Sequence, residues 1–427
     1  MNSSPFMERL TLKHRRLALC IVIVSWAGLS FSACHQANQQ ASDPISGEWR
    51  AVVLNKAGEE VAFKLDLKRE GEQIVGALVN GDERVVSTSG SFDGKMLKLR
   101  YDFYDGDLTA TLDDNKLSGT FQRQWRKETL RRELRAWREA SNVKLQATNG
   151  ADINGDWLLR VDEGEKQKVW RASFHQNGAE VRGTIIPLSG DWGTMTGKFE
   201  NGQLTLSRFD GINAHLFKAR LGANGALEGL IDSERKAVAE RVGNTSNLPT
   251  PPDPSAYTSL KNPKEPFRFS FPDLGSKIVS STDERFRNKV VLVTITGSWC
   301  PNCHDEAPVL NDLYQRYHAR GLEVVGLAFE YTGNYERDRQ QVKIFARRHQ
   351  IQYPMLLAGT TDEGDLEKKL PQLVNFGAYP TTIFIGRDGL VKKIHAGFEG
   401  PATGERFTKL KAEMEELVKE LLDGSGA

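Results

Sequence analysis

The sequence predicts a multidomain protein in which two repeated all-β units precede an α/β domain. Three observations support this prediction: a pattern that recurs after about 108 residues in the first half, a proline-rich segment near the middle, and an alternation of strands and helices in the second half. The length of 427 residues is itself more than one ordinary domain, since domains average roughly 150 residues. Hydrophobic residues make up 39% of the chain and charged residues 26%, a balance typical of globular proteins.

The N-terminal 33 residues are predicted to be a secretory signal peptide, in which a basic start precedes a charge-free stretch over residues 17–33. The run that ends at Cys34 (sequence FSAC) resembles a bacterial lipobox, although Phe31 stands where Leu is usual. Cys34 is therefore the predicted lipidation site, which implies a lipid anchor in the cell envelope of a bacterium, facing the periplasm or another extracytoplasmic side. Cleavage nearby that leaves Cys34 a free thiol, or an uncleaved signal anchor, are the alternatives.

Removal of residues 1–33 changes the charge of the chain. It takes away four of 57 basic residues and one of 56 acidic residues, which leaves 53 against 55. The remaining chain has no excess of basic residues that could bind the phosphates of a nucleic acid, so no nucleic-acid partner is predicted. Residues 34–43 are polar and aperiodic, as expected of a flexible tether.

The first half of the chain contains an internal repeat, which predicts two copies of one β-rich unit over residues 44–143 and 150–245. Three pairs of segments match in register: ISGEW at 45–49 with INGDW at 153–157, GSFDG at 90–94 with GKFENG at 197–202, and LSG at 117–119 with LEG at 227–229. Apolar residues alternate over short runs between turn pairs such as Asp93-Gly94, a pattern that predicts an antiparallel meander closing into a small barrel or a sandwich. The Gly-x-Trp openings are similar to the start of lipocalin barrels, and we expect each Trp to fill a core.

A basic segment at residues 123–139 allows two interpretations. The first interpretation is an amphipathic helix that lies on acidic lipids, because helical spacing separates Leu130, Leu134 and Trp137. The matching stretch in the second copy, residues 235–242, is short and alternates like a strand, so we prefer a strand or hairpin. No metal-ligand spacing occurs in either copy, and no metal site is predicted.

Residues 246–263 are predicted to be a proline-rich linker, and residues 264–424 an α/β domain. A short apolar run at residues 290–295 suits a central strand that is buried on both faces. The later predicted elements are helices and strands in turn: a helix after Cys303, a strand over 322–329, a helix over 334–349, strands over 353–357 and 379–385, a turn at 388–389 and a helix over 406–422.

Cys300 and Cys303 carry the chemistry that the sequence predicts. Two cysteines three residues apart at the start of a helix can close a disulfide across a tight loop. The helix N-terminus favours the thiolate at the first of them, so Cys300 is the predicted nucleophile and Cys303 the residue that resolves the mixed disulfide. The alternatives are half of a zinc site, for which no second pair of ligands exists, and a purely structural disulfide.

The order of these elements around Trp-Cys-x-x-Cys and the later Tyr-Pro-Thr resembles the thioredoxin fold. It is more closely similar to membrane-tethered thiol-disulfide oxidoreductases of the TlpA and ResA type, since Glu306-Ala307-Pro308 and the strand and helix inserted after residue 322 fit that subgroup. The resemblance implies substrate-binding roles for four residues: Trp299, Pro301, Tyr379 and Pro380. It also implies that Glu330 accepts or relays the proton of the resolving cysteine, with a surface carboxylate as the alternative.

The function implied by the resemblance is disulfide exchange with exported proteins that contain cysteines, apocytochromes c among them. Reduction of target disulfides is favoured, with an upstream membrane electron donor and no cofactor. A thioredoxin-like peroxidase is one alternative, but it requires Thr or Ser three residues before the reacting cysteine. That position is occupied by Gly297 for Cys300 and by Cys300 for Cys303. A binding lipoprotein, in which the β-repeats capture a partner, is the other.

Overall fold

The computed structural model describes residues 43–126, 128–138, 152–164, 166–243, 251 and 253–424. The predicted signal peptide, Cys20, Cys34 and the tether up to residue 42 lie outside the described residues. Among the helices of the described part, none combines the length and the apolar character that crossing a membrane requires.

Nine antiparallel strands form the first β unit. They are β1 (Gly47–Leu54), β2 (Glu60–Glu70), β3 (Gln73–Asn80), β4 (Glu83–Val86), β5 (Ser89–Phe92), β6 (Met96–Tyr101), β7 (Gly106–Asp113), β8 (Lys116–Trp125) and β9 (Glu128–Trp137). The sheet runs in the order β4-β3-β2-β1-β9-β8-β7-β6-β5, so its two edges, β4 and β5, are consecutive in the chain. This is a meander curled back on itself.

Eight strands form the second β unit, which is a closed barrel. They are β10 (Gly155–Glu163), β11 (Lys166–Asn177), β12 (Glu180–Ile186), β13 (Met195–Glu200), β14 (Gln203–Phe209), β15 (Ala214–Leu221), β16 (Leu227–Ile231) and β17 (Arg235–Arg241). Each strand pairs with its neighbour in sequence, and β17 returns to β10. The prediction of a closed antiparallel meander is confirmed here.

The two tryptophans of the Gly-x-Trp repeats occupy equivalent places. Trp49 and Trp157 are buried, and each indole Nε1 donates to the carbonyl four residues earlier, at 2.9 Å and 3.0 Å. An arginine covers each ring, Arg138 at 4.5 Å and Arg241 at 4.8 Å from the ring centroids. Both tryptophans fill a core, as predicted.

The basic segment after residue 123 forms a hairpin of β8 and β9, in which Trp125 pairs with Glu128. The preferred strand interpretation is therefore confirmed, and the helical one is wrong. The physical reason is the pairing: β9 bonds to β8 on one side and to β1 on the other, so its backbone groups are satisfied within the sheet.

The two β units share a core. Phe209, Ile212 and Leu216 of the second unit lie in the apolar cluster of the first. The Phe209 ring packs 5.1 Å from that of Phe63, and the Asn80 side chain exchanges two hydrogen bonds with the Phe209 backbone, at 2.9 Å and 3.1 Å. The units are therefore fused, not separate modules.

The remaining elements follow in the order α1 (Pro254–Tyr257), β18 (Ser259–Leu260), β19 (Ser270–Pro272), β20 (Ile278–Ser280), β21 (Val290–Thr296), α2 (Pro301–Tyr317), β22 (Leu322–Glu330), α3 (Tyr335–Arg348), β23 (Met355–Thr360), α4 (Asp365–Lys369), β24 (Leu373–Val374), β25 (Thr381–Ile385), β26 (Val391–Ala396) and α5 (Glu405–Leu422). Short 3-10 turns occur at Asp102–Tyr104, Glu284–Phe286, His318–Arg320 and Pro401–Thr403. Two of these elements, α1 and β18, lie in the predicted linker, and β18 pairs with β24.

The central sheet of this domain has the order β23-β22-β21-β25-β26, with β21, β22 and β23 parallel and β25 and β26 antiparallel. Every residue of β21 is buried. Val290 and Leu292 face the cluster formed with α2, α3 and α5, whereas Val291 and Val293 face the cluster that contains α4 and the β19–β20 hairpin. This is the thioredoxin-like architecture, and the predicted fold class is confirmed.

Candidate active site

The cysteine pair lies where the central strand passes into helix α2. Cys300 is the N-cap residue of α2, and its Sγ accepts a hydrogen bond from the Cys303 amide at 3.3 Å. Pro301 takes the first helical position, where the missing N–H costs no hydrogen bond. Both cysteines are free thiols, and they are only 4% and 1% exposed.

The structure brings Cys300 together with the two predicted residues of the proline loop. The Tyr379–Pro380 peptide bond is cis. The Cys300 thiol donates to the Tyr379 carbonyl oxygen at an Sγ–O distance of 3.6 Å. The Pro380 carbonyl in turn accepts from the Gly397 amide at 2.7 Å, which ties the loop to the end of β26.

Cys303 is the more deeply buried thiol. Burial raises its pKa well above the ordinary value, and the hydrogen bond and charge of Cys300 raise the pKa further. The hydroxyl of Thr296 opposes this shift, whereas the charge of Glu306 adds to it. Cys303 is therefore held as a thiol until a base removes its proton.

Glu306 is a site residue to which the sequence analysis gave no role. It is 2% exposed and accepts hydrogen bonds from Thr294, at 2.7 Å, and from Thr382. Burial raises the pKa of Glu306 to about 7, partly offset by these two hydrogen bonds. The signal that could have found it is spacing, because residues i and i+3 lie on one face of a helix and Glu306 follows Cys303 by three.

Glu330 ends strand β22 and is fully buried, so it is not a surface carboxylate. Its two oxygens accept from the Ser298 amide and the Ser298 hydroxyl, each at 2.7 Å, and Arg337 lies 3.9 Å away. Burial raises the pKa of Glu330 to about 7. The charge of Glu306 is one of the causes that raise the pKa of Cys303. The role predicted for Glu330, to accept or relay the proton of Cys303, stays a prediction.

Trp299 is half-buried beside the cysteine pair. Its indole Nε1 donates to the Phe329 carbonyl at 2.9 Å, which fixes the ring above the end of β22. The ring centroid lies 5.3 Å from that of Tyr379 and 6.2 Å from that of Tyr331. Trp299 thus connects the proline loop to the C-terminal end of β22.

A histidine pair supports the loop before Cys300. The Ser298 carbonyl can only accept, so His304 Nε2, 2.9 Å away, carries a proton and His304 Nδ1 accepts from His349 Nε2 at 2.7 Å. Burial lowers the pKa of His304 well below its usual value, and it lowers that of His349 to about 4. The pair is therefore neutral at neutral pH and serves to hold the loop.

Both β units contact the start of α2, an arrangement that no pattern in the sequence predicted. Asn302, inside the Cys-x-x-Cys loop, donates to the Ser189 carbonyl of the second unit at 3.1 Å. The rings of Phe103 and Tyr104, from the first unit, pack 6.0 Å and 5.1 Å from His304.

Two carboxyl groups lie close together, that of Asp305 on α2, which is half-buried, and that of Asp191 in the second β unit, which is buried. A Cβ built on Gly400 would meet an oxygen of Asp305 at 2.6 Å and one of Asp191 at 3.1 Å, so the two carboxyls converge there. Burial, together with the charge of Asp191, raises the pKa of Asp305 to about 8. Burial likewise raises the pKa of Asp191 to about 6.

Comparison with known proteins matches residues 264–394 to the AhpC/TSA family. The thiol-disulfide oxidoreductase ResA of Bacillus cereus is 30% identical over 132 residues, which are 31% of this chain and 68% of that protein. The chain belongs to the ResA family of thiol-disulfide oxidoreductases. The resemblance that the sequence indicated is confirmed.

The family relationship concerns the thioredoxin-like domain. The ResA proteins of Geobacillus thermodenitrificans and Geobacillus kaustophilus are also 30% identical, and the chain spans 66% and 57% of their lengths. Among solved structures, a thiol:disulfide interchange protein from Chlorobium tepidum matches with 22% identity and a TM-score of 0.29, over 38% of this chain and 99% of that one.

Proposed function

We propose that this protein is a thiol-disulfide oxidoreductase that exchanges electrons between its Cys300–Cys303 pair and disulfides of exported proteins. One observation carries the proposal: the Cys300 sulfur lies at the N-terminus of α2, bonded by the Cys303 amide, beside the carbonyl that precedes a cis proline. An amide donor and a helix N-terminus stabilise a thiolate there, and the thiolate is the attacking species.

The exchange runs in two steps. The Cys300 thiolate attacks one sulfur of the partner disulfide, so that a mixed disulfide forms and the other partner sulfur leaves as a thiolate and takes a proton. Cys303 then attacks the Cys300 sulfur, which closes the Cys300–Cys303 disulfide and releases the second partner thiol. Two electrons and two protons pass to the partner.

The second step needs a base, because Cys303 is buried as a thiol. Glu306 suits this role, since its pKa of about 7 keeps a substantial fraction ionised at neutral pH and its charge acts on Cys303. Glu330 has a similar pKa but binds Ser298, two residues before Cys300. Of the two carboxylates, Glu306 is our preferred proton acceptor.

The cellular setting extends the proposal. The predicted lipid on Cys34 would hold the protein at a membrane of the cell envelope. The predicted direction is reduction of exported cysteine-containing proteins, with a membrane donor that reduces the Cys300–Cys303 disulfide again. An extended partner segment would lie against the backbone of Tyr379, next to the Cys300 thiol. The predicted signal peptide and the sequence relationship with ResA support this setting.

Two cysteine variants test the proposal. Cys300→Ser should abolish the reduction of a test disulfide, because the attacking sulfur is lost. Cys303→Ser should accumulate mixed disulfides that are released by dithiothreitol and whose partners can be identified by mass spectrometry. Reduction that survives in both variants would contradict the proposal. Rapid consumption of hydrogen peroxide by the reduced protein would support the peroxidase alternative instead.

A further inference from the structure

Four half-buried aromatic side chains contact one another in sequence, two of them next to Cys300, and we name them the aromatic rim. They are Phe376, Tyr379, Trp299 and Trp125. Successive ring centroids are 5.0 Å, 5.3 Å and 6.2 Å apart. The first three residues belong to the thioredoxin-like domain, whereas Trp125 comes from the tip of the β8–β9 hairpin of the first β unit.

Trp125 is fixed in this position from two sides. Its ring packs 5.1 Å from that of Tyr331, and the Arg123 guanidinium lies 4.8 Å from its centroid. The adjacent Gln124 carbonyl accepts a hydrogen bond from the Tyr331 hydroxyl at 3.0 Å. Trp49 and Trp157, by contrast, are fully enclosed in their cores. Trp125 is thus a tryptophan that the fold holds in place at the surface.

The second β unit contacts the Cys-x-x-Cys loop. Asn302 donates to the carbonyls of Ser189 and Phe398, at 3.1 Å and 3.4 Å. Gly190 forms a parallel bridge with Phe398. A partner segment that lies against the Tyr379 backbone, next to the Cys300 thiol, would be adjacent to the aromatic rim.

We propose that Trp125 is a specificity-determining residue of the exchange reaction, and that it selects an extended polypeptide segment with an apolar or aromatic side chain beside its reactive cysteine. The inference rests on the proposed function. Such a side chain would cover aromatic surface that is otherwise exposed to water. Ring–ring contacts would stabilise the complex beyond the effect of the buried area alone. The bonds made and broken are those of the exchange: a Cys300–partner disulfide forms as the partner's own disulfide breaks.

The test uses two disulfide-bonded peptides that differ only in the residue beside the cysteine, Phe in one and Ser in the other. The rate constant for each peptide is measured with the full-length reduced protein in a single turnover. One aromatic contact predicts that wild type reacts about threefold to tenfold faster with the Phe peptide. In Trp125→Ala this ratio should fall below about twofold, whereas Trp125→Phe should keep most of it.

A matched control is Trp137→Ala, which removes another half-buried tryptophan from the same hairpin at its far end and should keep the wild-type ratio. The ratio of the two peptide rate constants is compared within each variant, so a general loss of activity does not change it. Trp125→Leu, which keeps apolar volume, replaces Trp125→Ala if that variant does not fold.

Two results would overturn the assignment of Trp125: equal rates with both peptides in wild type, or an unchanged ratio once the ring is removed. A wild-type protein that reacts with neither peptide nor a small symmetric disulfide would contradict the proposed function itself, and the assignment with it. The two failures are therefore distinguishable.

Discussion

At the scale of single residues, the site contains two carboxyl groups whose pKa values are raised by burial to near neutral pH. Glu306 and Glu330 both have a pKa of about 7, but they have different partners. Glu306 is bonded by two threonine hydroxyls and acts on Cys303, whereas Glu330 is bonded by Ser298. The partners, and not the pKa, distinguish the two carboxylates.

Replacement of Glu306 should slow the resolving step and change its pH dependence. In wild type, the rate at which the second partner thiol is released should rise as Glu306 ionises through about pH 7. Glu306→Gln should remove this inflection and slow release about 10- to 100-fold, because a positioned base contributes that much or more. Single-turnover measurements between about pH 5.5 and 8.5 check this. If Glu330→Gln, and not Glu306→Gln, removes the inflection, the base is Glu330.

Asp305 should make the stability of the protein depend on pH. Its pKa in the folded state, about 8, is raised above the ordinary value, so its contribution to stability is present at low pH and is lost as the pH rises toward 8. Asp305→Asn should therefore raise the free energy of unfolding at pH 8 by several kcal/mol, up to about 5 kcal/mol, and change it little at pH 4. Urea unfolding at both pH values measures this effect.

The control for Asp305 is Asp312→Asn on the same helix. Asp312 is 59% exposed and pairs with Arg316 at the surface. Its loss should change stability by less than about 1 kcal/mol and leave the pH dependence as in wild type. An Asp305→Asn variant with the wild-type pH slope would show that the Asp305 carboxyl does not titrate in this range.

At the scale of elements, the loop between β14 and β15 joins the two β units. Phe209→Ala should destabilise both units together by about 3–5 kcal/mol, because a fully buried ring is lost between Phe63 and Phe121. Leu230→Ala is the control, since Leu230 on β16 is 42% exposed. Denaturant unfolding should show one shifted transition. Two separate transitions, with only one of them shifted, would contradict a shared core.

The β8–β9 hairpin shows how an element can be predicted while its role is not. Alternation and the repeat predicted strands, and the strands formed as β8 and β9. That the hairpin tip contacts Trp299 and Tyr331 depends on residues about 200 positions away in the chain, and no local pattern encodes such a contact.

At the scale of the whole molecule, the chain from Pro44 onward forms one compact unit. An ion pair between Asp105 and Arg337, at 3.0 Å, joins the first β unit to α3, and an ion pair between Arg171 and Glu399, at 3.5 Å, joins the second unit to the end of the sheet. Both β units are thus packed against the thioredoxin-like domain, and the role proposed for the first of them, through Trp125, is substrate selection.

The predicted anchor is a property of the whole molecule. Cys34→Ser should release the protein from the membrane fraction of cells, because the predicted lipid can no longer be attached. Fractionation followed by immunoblotting measures the released share. The reduction of a test disulfide by the purified variant should equal that of wild type, since Cys34 lies outside the proposed exchange. A variant that stays with membranes would show that another segment anchors it.

Sequence patterns were enough to predict the two β meanders, the thioredoxin-like domain and the pair Cys300 and Cys303. Alternation of apolar residues, the internal repeat and helix-start signals can all be read along the chain, and they are sufficient to predict these features. The different surroundings of Glu306 and Glu330, and the β segments that lie beside the site, follow from how the chain packs. Burial and contacts between distant segments set pKa values and access, and both arise only when the chain has packed. The position of Trp125 next to Trp299 is the clearest case, because it is a product of packing alone.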